Sequence, residues 1–273
     1  MNSTASVQGS RHGALGVYAI AYLAFVYIPL LLLALFSFND SVFIAFPLQG
    51  FTLDWYEDMA NSPGLIVALY NSIKIACVVS VIATIMGALA AKAVTRYAIP
   101  GRGPVITFIM IPLVIPGIIM GIALMVIANS IGLGLSLYTI GLGHILISTP
   151  FAMLIMVSRL EGFDKNLEEA AQDLGEGAWF TFWRVTFPLA LPGFVASLLL
   201  SFTISFGEFI LAFFLSGTQT TLPVYIWSQL RFPNRLPTIL ALDTCFLVIS
   251  FVVISFAEWF RRRGVQLKSE SGV

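Results

Sequence analysis

Apolar residues run through this chain in long unbroken stretches, not in the spaced stripes of an amphipathic helix or the alternation of a half-buried strand. A helix that crosses a bilayer needs about 20 consecutive, mostly apolar residues. Six stretches meet that requirement: 14–36, 65–94, 104–128, 137–158, 189–215 and 237–260. The pattern predicts an all-α membrane protein of six transmembrane helices. The N-terminal MNSTASVQGSRHGALG is polar and leads into an apolar run longer than the roughly 7–15-residue core of a signal peptide, so the first stretch is expected to be a retained span. The expected organisation is a polar tail at 1–13, a membrane domain at 14–260 and a second polar tail at 261–273.

Composition sharpens this picture. Hydrophobic residues make up 58% of the chain and charged residues 10%, against about 25% charged in an ordinary soluble domain. The formal net charge is zero, so nothing points to nucleic acid, and the bilayer is the expected surrounding. Cys77 and Cys245 lie inside apolar runs and read as small hydrophobes. Eleven of the fourteen basic residues fall on one side of the predicted spans: Arg11, Lys92, Arg96, Arg102, Arg159, Lys165, Arg184, Arg261, Arg262, Arg263 and Lys268. Basic residues concentrate in cytoplasmic loops, so both termini are expected in the cytoplasm. Only Arg231 and Arg235 fall opposite, and Lys74 lies within the second span. The first outer loop carries Asp40, Asp54, Glu57 and Asp58 and no base. It reads equally as an ordinary outside loop or as a surface that meets a soluble partner or a cation. Its WYEDM segment predicts a short interfacial helix with Trp55 and Tyr56 at headgroup level.

One polar segment stands apart. Residues 159–188 form a cytoplasmic loop between the fourth and fifth spans, and EEAAQDLGEGAWFTFWRVTFP within it holds four acids and an aromatic cluster. Leu167, Ala170, Ala171 and Leu174 recur at helical spacing and predict a short helix with a narrow apolar stripe. Asp164 or Asn166 can cap its start, and Glu168 and Glu169 suit the positive end of the helix dipole. Gly175 is placed to end it in a left-handed conformation, and Pro188 to mark where the next span begins. Periodicity alone leaves two roles open, a solvated connector or a docking element for a cytoplasmic partner.

Glu169-Ala170-Ala171, three residues, Gly175, nine residues, then Val185-Thr-Phe187-Pro188 resembles the EAA loop of ABC importer permeases, with Val for Ile and Phe for Leu. The resemblance implies a coupling helix seated in a groove of a partner ATPase, with Glu169, Ala170, Ala171 and Gly175 as coupling residues and Pro188 closing the motif. The chain has no G-x-x-x-x-G-K-[ST] phosphate cradle. It is expected to bind no cofactor itself, with ATP and Mg held by the ATPase. More widely, YNSIKIA (70–76), IPLVIPGIIMGIAL (111–124), SFTISFGEFI (201–210) and TTLPVYIWSQLR (220–231) resemble the second permease of the spermidine/putrescine importers. That likeness implies a type I importer permease fold in a bacterial inner membrane and alternating access. It also implies a second related permease as heterodimer partner, two copies of a cytoplasmic ABC ATPase and a periplasmic binding protein.

Charges inside a bilayer are costly and mark paths or pairings. Lys74 falls about 14 Å into the second span from outside and Asp243 about 9 Å into the sixth, at 1.5 Å per residue; Glu208 falls near the outer end of the fifth. Lys74 is expected either to pair with Glu208 or Asp243 or to line the path with them. Two acids against one base suit an amine cation. The resembling subfamily often has an acid where this chain has Gly117 and a small neutral residue where it has Asp243. A polyamine and another amine-bearing or zwitterionic small solute therefore both remain open. Pro112, Pro116, Gly117 and Gly121 in the third span suit a packing kink or a pore-lining hinge. His144 reads as a packing or hydrogen-bonding residue, and no metal site is expected. The aromatics of the fifth and sixth spans read as lipid and core contacts, with a cage for ammonium groups also physically possible. Neither H-E-x-x-H nor G-x-S-x-G occurs, so an enzyme is not expected. An ATP-independent secondary transporter is the remote alternative; its expected inverted repeat is not visible between the two halves.

Overall fold

The computed structural model describes residues 4–97 and 100–270, with side chains for 15–97 and 100–256. The helices in chain order are α1 (Thr4–Phe36), α2 (Asp54–Ala60), α3 (Pro63–Arg96), α4 (Arg102–Val114), α5 (Gly117–Ser130), α6 (Leu137–Glu161), α7 (Asn166–Asp173), α8 (Ala178–Thr181), α9 (Phe187–Gly207), α10 (Ile210–Leu215), α11 (Leu222–Gln229) and α12 (Leu236–Glu270). A π-helical turn, Phe182–Thr186, joins α8 to α9, and a 3-10 turn, Pro233–Arg235, precedes α12. The chain divides into two compact units, one of residues 1–62 with 228–273 and one of residues 63–227.

The second unit is built on α3, α6 and α9, which pack against one another. Helices in a lipid environment gain little from hiding apolar surface and associate instead through close packing, so small residues are needed where they touch. The sequence supplies them. Ala68, Ser72, Ala76, Ser80, Thr84, Gly87 and Ala91 form the buried stripe of α3, and Ala190, Gly193, Ser197, Ser201 and Ser205 that of α9. A Cβ on Gly87 would lie 2.6 Å from the Met153 backbone N and 2.7 Å from the Ala152 Cβ, and one on Gly193 would lie 2.8 Å from the Arg159 Cγ. Polar side chains then bond across the helices: Ser197 donates to the Ala152 carbonyl at 3.3 Å, Thr139 donates to the Leu215 carbonyl at 3.0 Å, and the fully buried His144 Nδ1 lies 2.9 Å from the Ser205 Oγ.

Five helical segments are long and apolar enough to cross a membrane, and a bent pair brings the number to six if it forms one span. The predicted third span is that pair: α4 and α5 meet at 102°. Pro116 explains the break. It has no N–H to donate, and it biases the preceding residue away from helical geometry; Ile115 is extended at ψ 127° and Pro116 becomes the N-cap of α5. Pro112 stays inside α4. The fifth span also departs from expectation. It does not begin at Pro188: the helical path starts at Ala178 and runs through the π turn, with Pro188 in the first turn of α9. It is then interrupted after Gly207, and α10 packs against α5 and α6. The other helices outrun their predicted limits of 65–94, 137–158 and 237–260 by a few residues, because apolar runs mark hydrocarbon thickness and not the helix ends beyond it. The polar ends of the chain lengthen α1 to Thr4 and α12 to Glu270. The predicted inside residues Arg11, Arg261, Arg262, Arg263 and Lys268 lie outside the residues whose side chains are described.

In the first unit α12 packs against α1 and α2. The segment before α2 folds back on itself: the Asn39 Oδ1 accepts the Gln49 N–H at 2.9 Å, and Asn39 and Phe51 form an antiparallel bridge. The predicted WYEDM helix is α2. Its Trp55 Nε1 donates to the Asn39 carbonyl at 2.9 Å and its Tyr56 hydroxyl lies 2.7 Å from the Ser37 Oγ, so both aromatic tips fasten the loop. Little of α1 is covered within the chain, and most of its apolar side chains from Leu15 to Leu33 are exposed.

The α3–α6 contact is directly testable. Gly87→Leu forces a side chain into the Met153 backbone and is expected to cost at least about 1–3 kcal/mol through overpacking, lowering the thermal unfolding midpoint in detergent. Gly141→Ala, at a helical position with open space around it, should leave the midpoint unchanged or raise it.

Candidate functional site

The loop singled out in the sequence forms α7, an eight-residue helix. Asp164 serves its start, two residues ahead of the first helical residue: its Oδ1 accepts the Asn166 N–H at 3.0 Å. Its end is a Schellman motif. The Gly175 N–H donates to the Gln172 carbonyl at 2.9 Å and the Glu176 N–H to the Ala171 carbonyl at 3.1 Å, with Gly175 at φ +92°. Glycine is required here for conformation and not for space, since a Cβ would meet nothing within 4 Å.

The expected apolar stripe does not turn inward. Leu167, Glu169, Ala170 and Leu174 are exposed, and Leu174 lies beyond the last helical residue. The residue of α7 that is buried is Glu168. Its Oε2 lies 3.2 Å from the Arg96 Nε, and its Oε1 accepts the Thr186 hydroxyl at 2.7 Å. Arg96 is the last residue of α3. Its Nη2 donates to the Leu160 carbonyl at 2.9 Å, in the last turn of α6, and its guanidinium lies 4.6 Å from the centre of the Phe163 ring. Arg159 binds the Leu189 carbonyl through Nε at 3.0 Å and Nη2 at 2.7 Å, fastening α6 to the start of α9. The inward anchor is polar: one carboxylate forms an ion pair with Arg96 and accepts a hydrogen bond from the Thr186 hydroxyl.

Beside α7 lies an aromatic platform. Trp183 contacts Trp179, Phe182 and Phe187, with ring centres 5.7, 5.3 and 4.9 Å apart. The Lys92 ammonium sits 4.7 Å over the Phe182 ring. Arg184 pairs with Glu176 and stacks on Phe180. Trp179, Phe180 and Trp183 remain largely exposed, so α7 and this platform together present an apolar surface with charges at its edge.

Of the three predicted path residues, Lys74 and Glu208 lie in the second unit and Asp243 in the first. Glu208 sits in the break between α9 and α10, and its Oε1 accepts the Ile210 and Leu211 N–H groups at 2.9 and 3.1 Å. It caps a helix as well as carrying charge, which its place in the sequence did not reveal. Lys74 is exposed on α3 and forms no ion pair with Glu208. Asp243 is exposed on α12. Among the described residues no group of His, Cys, Asp or Glu is placed to hold a metal ion.

The family model for the binding-protein-dependent transport system inner membrane component matches residues 82–265. The chain belongs to that family. It is 33% identical over 248 residues to the spermidine/putrescine transport system permease protein PotC of Escherichia coli K12, covering 90% of this chain and 93% of that one. It is 32% identical over 245 residues to the putrescine transport system permease protein PotI of the same organism, covering 86% of each. Its fold matches that of a bacterial ABC transporter involved in the import of the acidic polysaccharide alginate, with a TM-score of 0.71 at 17% identity over 93% of this chain and 98% of that one. The protein is thus a multi-pass inner-membrane transport subunit and not an enzyme, and the family expectation drawn from the loop motif and the span-three and span-five segments holds.

The Gly175 geometry separates two effects. Gly175→Asn, which tolerates a left-handed conformation, should leave the unfolding midpoint near that of the parent. Gly175→Val should lower it, since a β-branched residue at positive φ costs about 1–2 kcal/mol. Equal effects of Asn and Val would show that the Schellman turn does not set the residue.

Proposed function

We propose that this chain is one permease subunit of an ATP-driven importer that carries a small amine solute, of the spermidine/putrescine kind, inward by alternating access. The observation that carries the coupling half of this proposal is the split of adjacent glutamates on α7: Glu168 is buried against its own chain while Glu169 and Ala170 face outward. A connector helix has no need to present a small-residue face and an aromatic platform to the solvent. A helix that docks in a groove of another protein does. Glu169, Ala170, Ala171 and Gly175 are the proposed contacts for an ATPase, with Pro188, in the first turn of α9, closing the motif. Two ATPase copies would hold the ATP and Mg, a second and related permease would complete the path, and a periplasmic binding protein would deliver the solute. The bent α4–α5 pair taken as one crossing gives the six spans of this reading, and the distribution of Lys and Arg supports cytoplasmic termini and a cytoplasmic α7.

The amine half of the proposal is supported by the relatives' substrates and by Glu208, Asp243 and Lys74 as path residues. Interrupted helices whose ends face the path are the usual device of transporter binding sites. Glu208 lies at such an interruption, with Oε1 engaged by the cap and a second carboxylate oxygen to offer. It is one α9 length, 21 residues or about 30 Å, from the coupling end.

Reconstitution of this chain with its partner permease, ATPase and binding protein in proteoliposomes tests the proposal. Uptake of labelled spermidine or putrescine should require ATP and the binding protein. Uptake by this chain alone without ATP would instead identify a secondary transporter. Glu208→Gln keeps an acceptor for the α10 cap and removes the charge. It should slow uptake about tenfold, the equivalent of about 1.4 kcal/mol, and unchanged uptake would leave Glu208 as a cap alone.

A further inference from the structure

The geometry points to Glu168, Arg96 and Thr186 as the joint through which movement of α7 passes into the spans, a positioning set separate from the outward residues that meet the ATPase. This inference rests on the coupling role proposed above. A helix pushed by a partner transmits force only through groups that resist its sliding or rotating, and van der Waals contact on one exposed helix resists neither. A buried ion pair and a hydrogen bond on the same carboxylate, aimed in different directions, resist both. Among the described residues, the polar side-chain links from α7 to the spans run through Glu168.

The arrangement distributes that force. One carboxylate oxygen is tied to the end of α3 through Arg96, and the other to the start of α9 through Thr186, which is 1% exposed. Arg96 passes the link to the end of α6 through the Leu160 carbonyl. The ends of the three helices that form the packed core of this unit are therefore all linked to a single carboxylate, through one ion pair and two hydrogen bonds. Thr186 closes a π-helical turn, a local widening of the helix that recurs at functional positions and here brings its hydroxyl to Glu168. A polar cavity of about 190 Å³ lies beside the joint, lined by Lys92, Arg96, Glu168, Gln172, Thr181 and Thr186 among others, so the neighbouring surface of α7 is not packed solid and the bonds, not bulk packing, fix its attitude.

The test uses the full transporter in proteoliposomes, measuring solute moved per ATP hydrolysed, alongside co-purification of the ATPase subunit. Glu168→Gln should lower the solute-to-ATP ratio at least tenfold while the ATPase still co-purifies. Glu169→Gln should weaken co-purification. Thr186→Val, which removes one bond with little change of shape, should lower the ratio, and Thr186→Ser should restore it. Should Glu168→Gln fail to assemble, the Thr186 pair decides alone. A parental ratio in both Glu168→Gln and Thr186→Val would overturn the joint. Absence of ATP-dependent uptake in the parent would count instead against the importer reading itself.

Discussion

A carboxylate shielded from water at the edge of a membrane domain holds this protein's loop against its helices. Glu168 and Arg96 expose 11% and 6% of their side chains, so the pair lies largely out of water. Removing one partner from such a pair costs about 3–5 kcal/mol, because the survivor is left as an uncompensated charge. Replacing both by apolar residues of similar volume can cost nothing, so stability alone does not account for the pair. What it gives that an apolar contact would not is direction. It fixes which face of α7 points inward and thereby which face points away.

The interior of the membrane part follows a different rule. There the helices come close through glycine, alanine and serine, and α3 approaches α6 so nearly that no Cβ fits at Gly87. So close an interface leaves little room for these helices to slide past one another. Interruptions are confined to two places. Pro116 bends the α4–α5 pair, and Glu208 caps the restart of a helix after Gly207. Energy would thus enter at the stiff end of the bundle and be felt at the interrupted end, one α9 length away.

The sequence made some of this legible and hid the rest for physical reasons. The six apolar runs stood out because hydrocarbon thickness imposes a length on each. Gly175 was readable because a positive φ admits few residues, and it does end α7. Pro116 announced a bend and did not announce 102°, since the angle depends on what α4 and α5 pack against. The stripe Leu167, Ala170, Ala171, Leu174 was read correctly as one face, but spacing cannot say whether a face looks inward or outward. Arg96 and Thr186 were missed altogether: they lie 72 residues before and 18 residues after Glu168 in the chain, and only folding brings them to one carboxylate. The available signal was that a cluster of cytoplasmic bases met two adjacent glutamates when the motif itself needs one. Of the two readings of Lys74, the pairing with Glu208 is not formed: the Glu208 Oε1 accepts the first N–H groups of α10 instead.

The central claim, that α7 moves as one body with the ends of the spans it touches, is most directly tested by a distance. Spin labels at Gln172→Cys and Ser158→Cys, in a background where Cys77 and Cys245 are replaced, report the separation of α7 from α6 in the assembled transporter. The account predicts the same separation, within about 2 Å, the size of an ordinary helix shift, in the nucleotide-free and ATP-bound states. A nucleotide-dependent change well beyond that would show α7 swinging free of the spans and would contradict it.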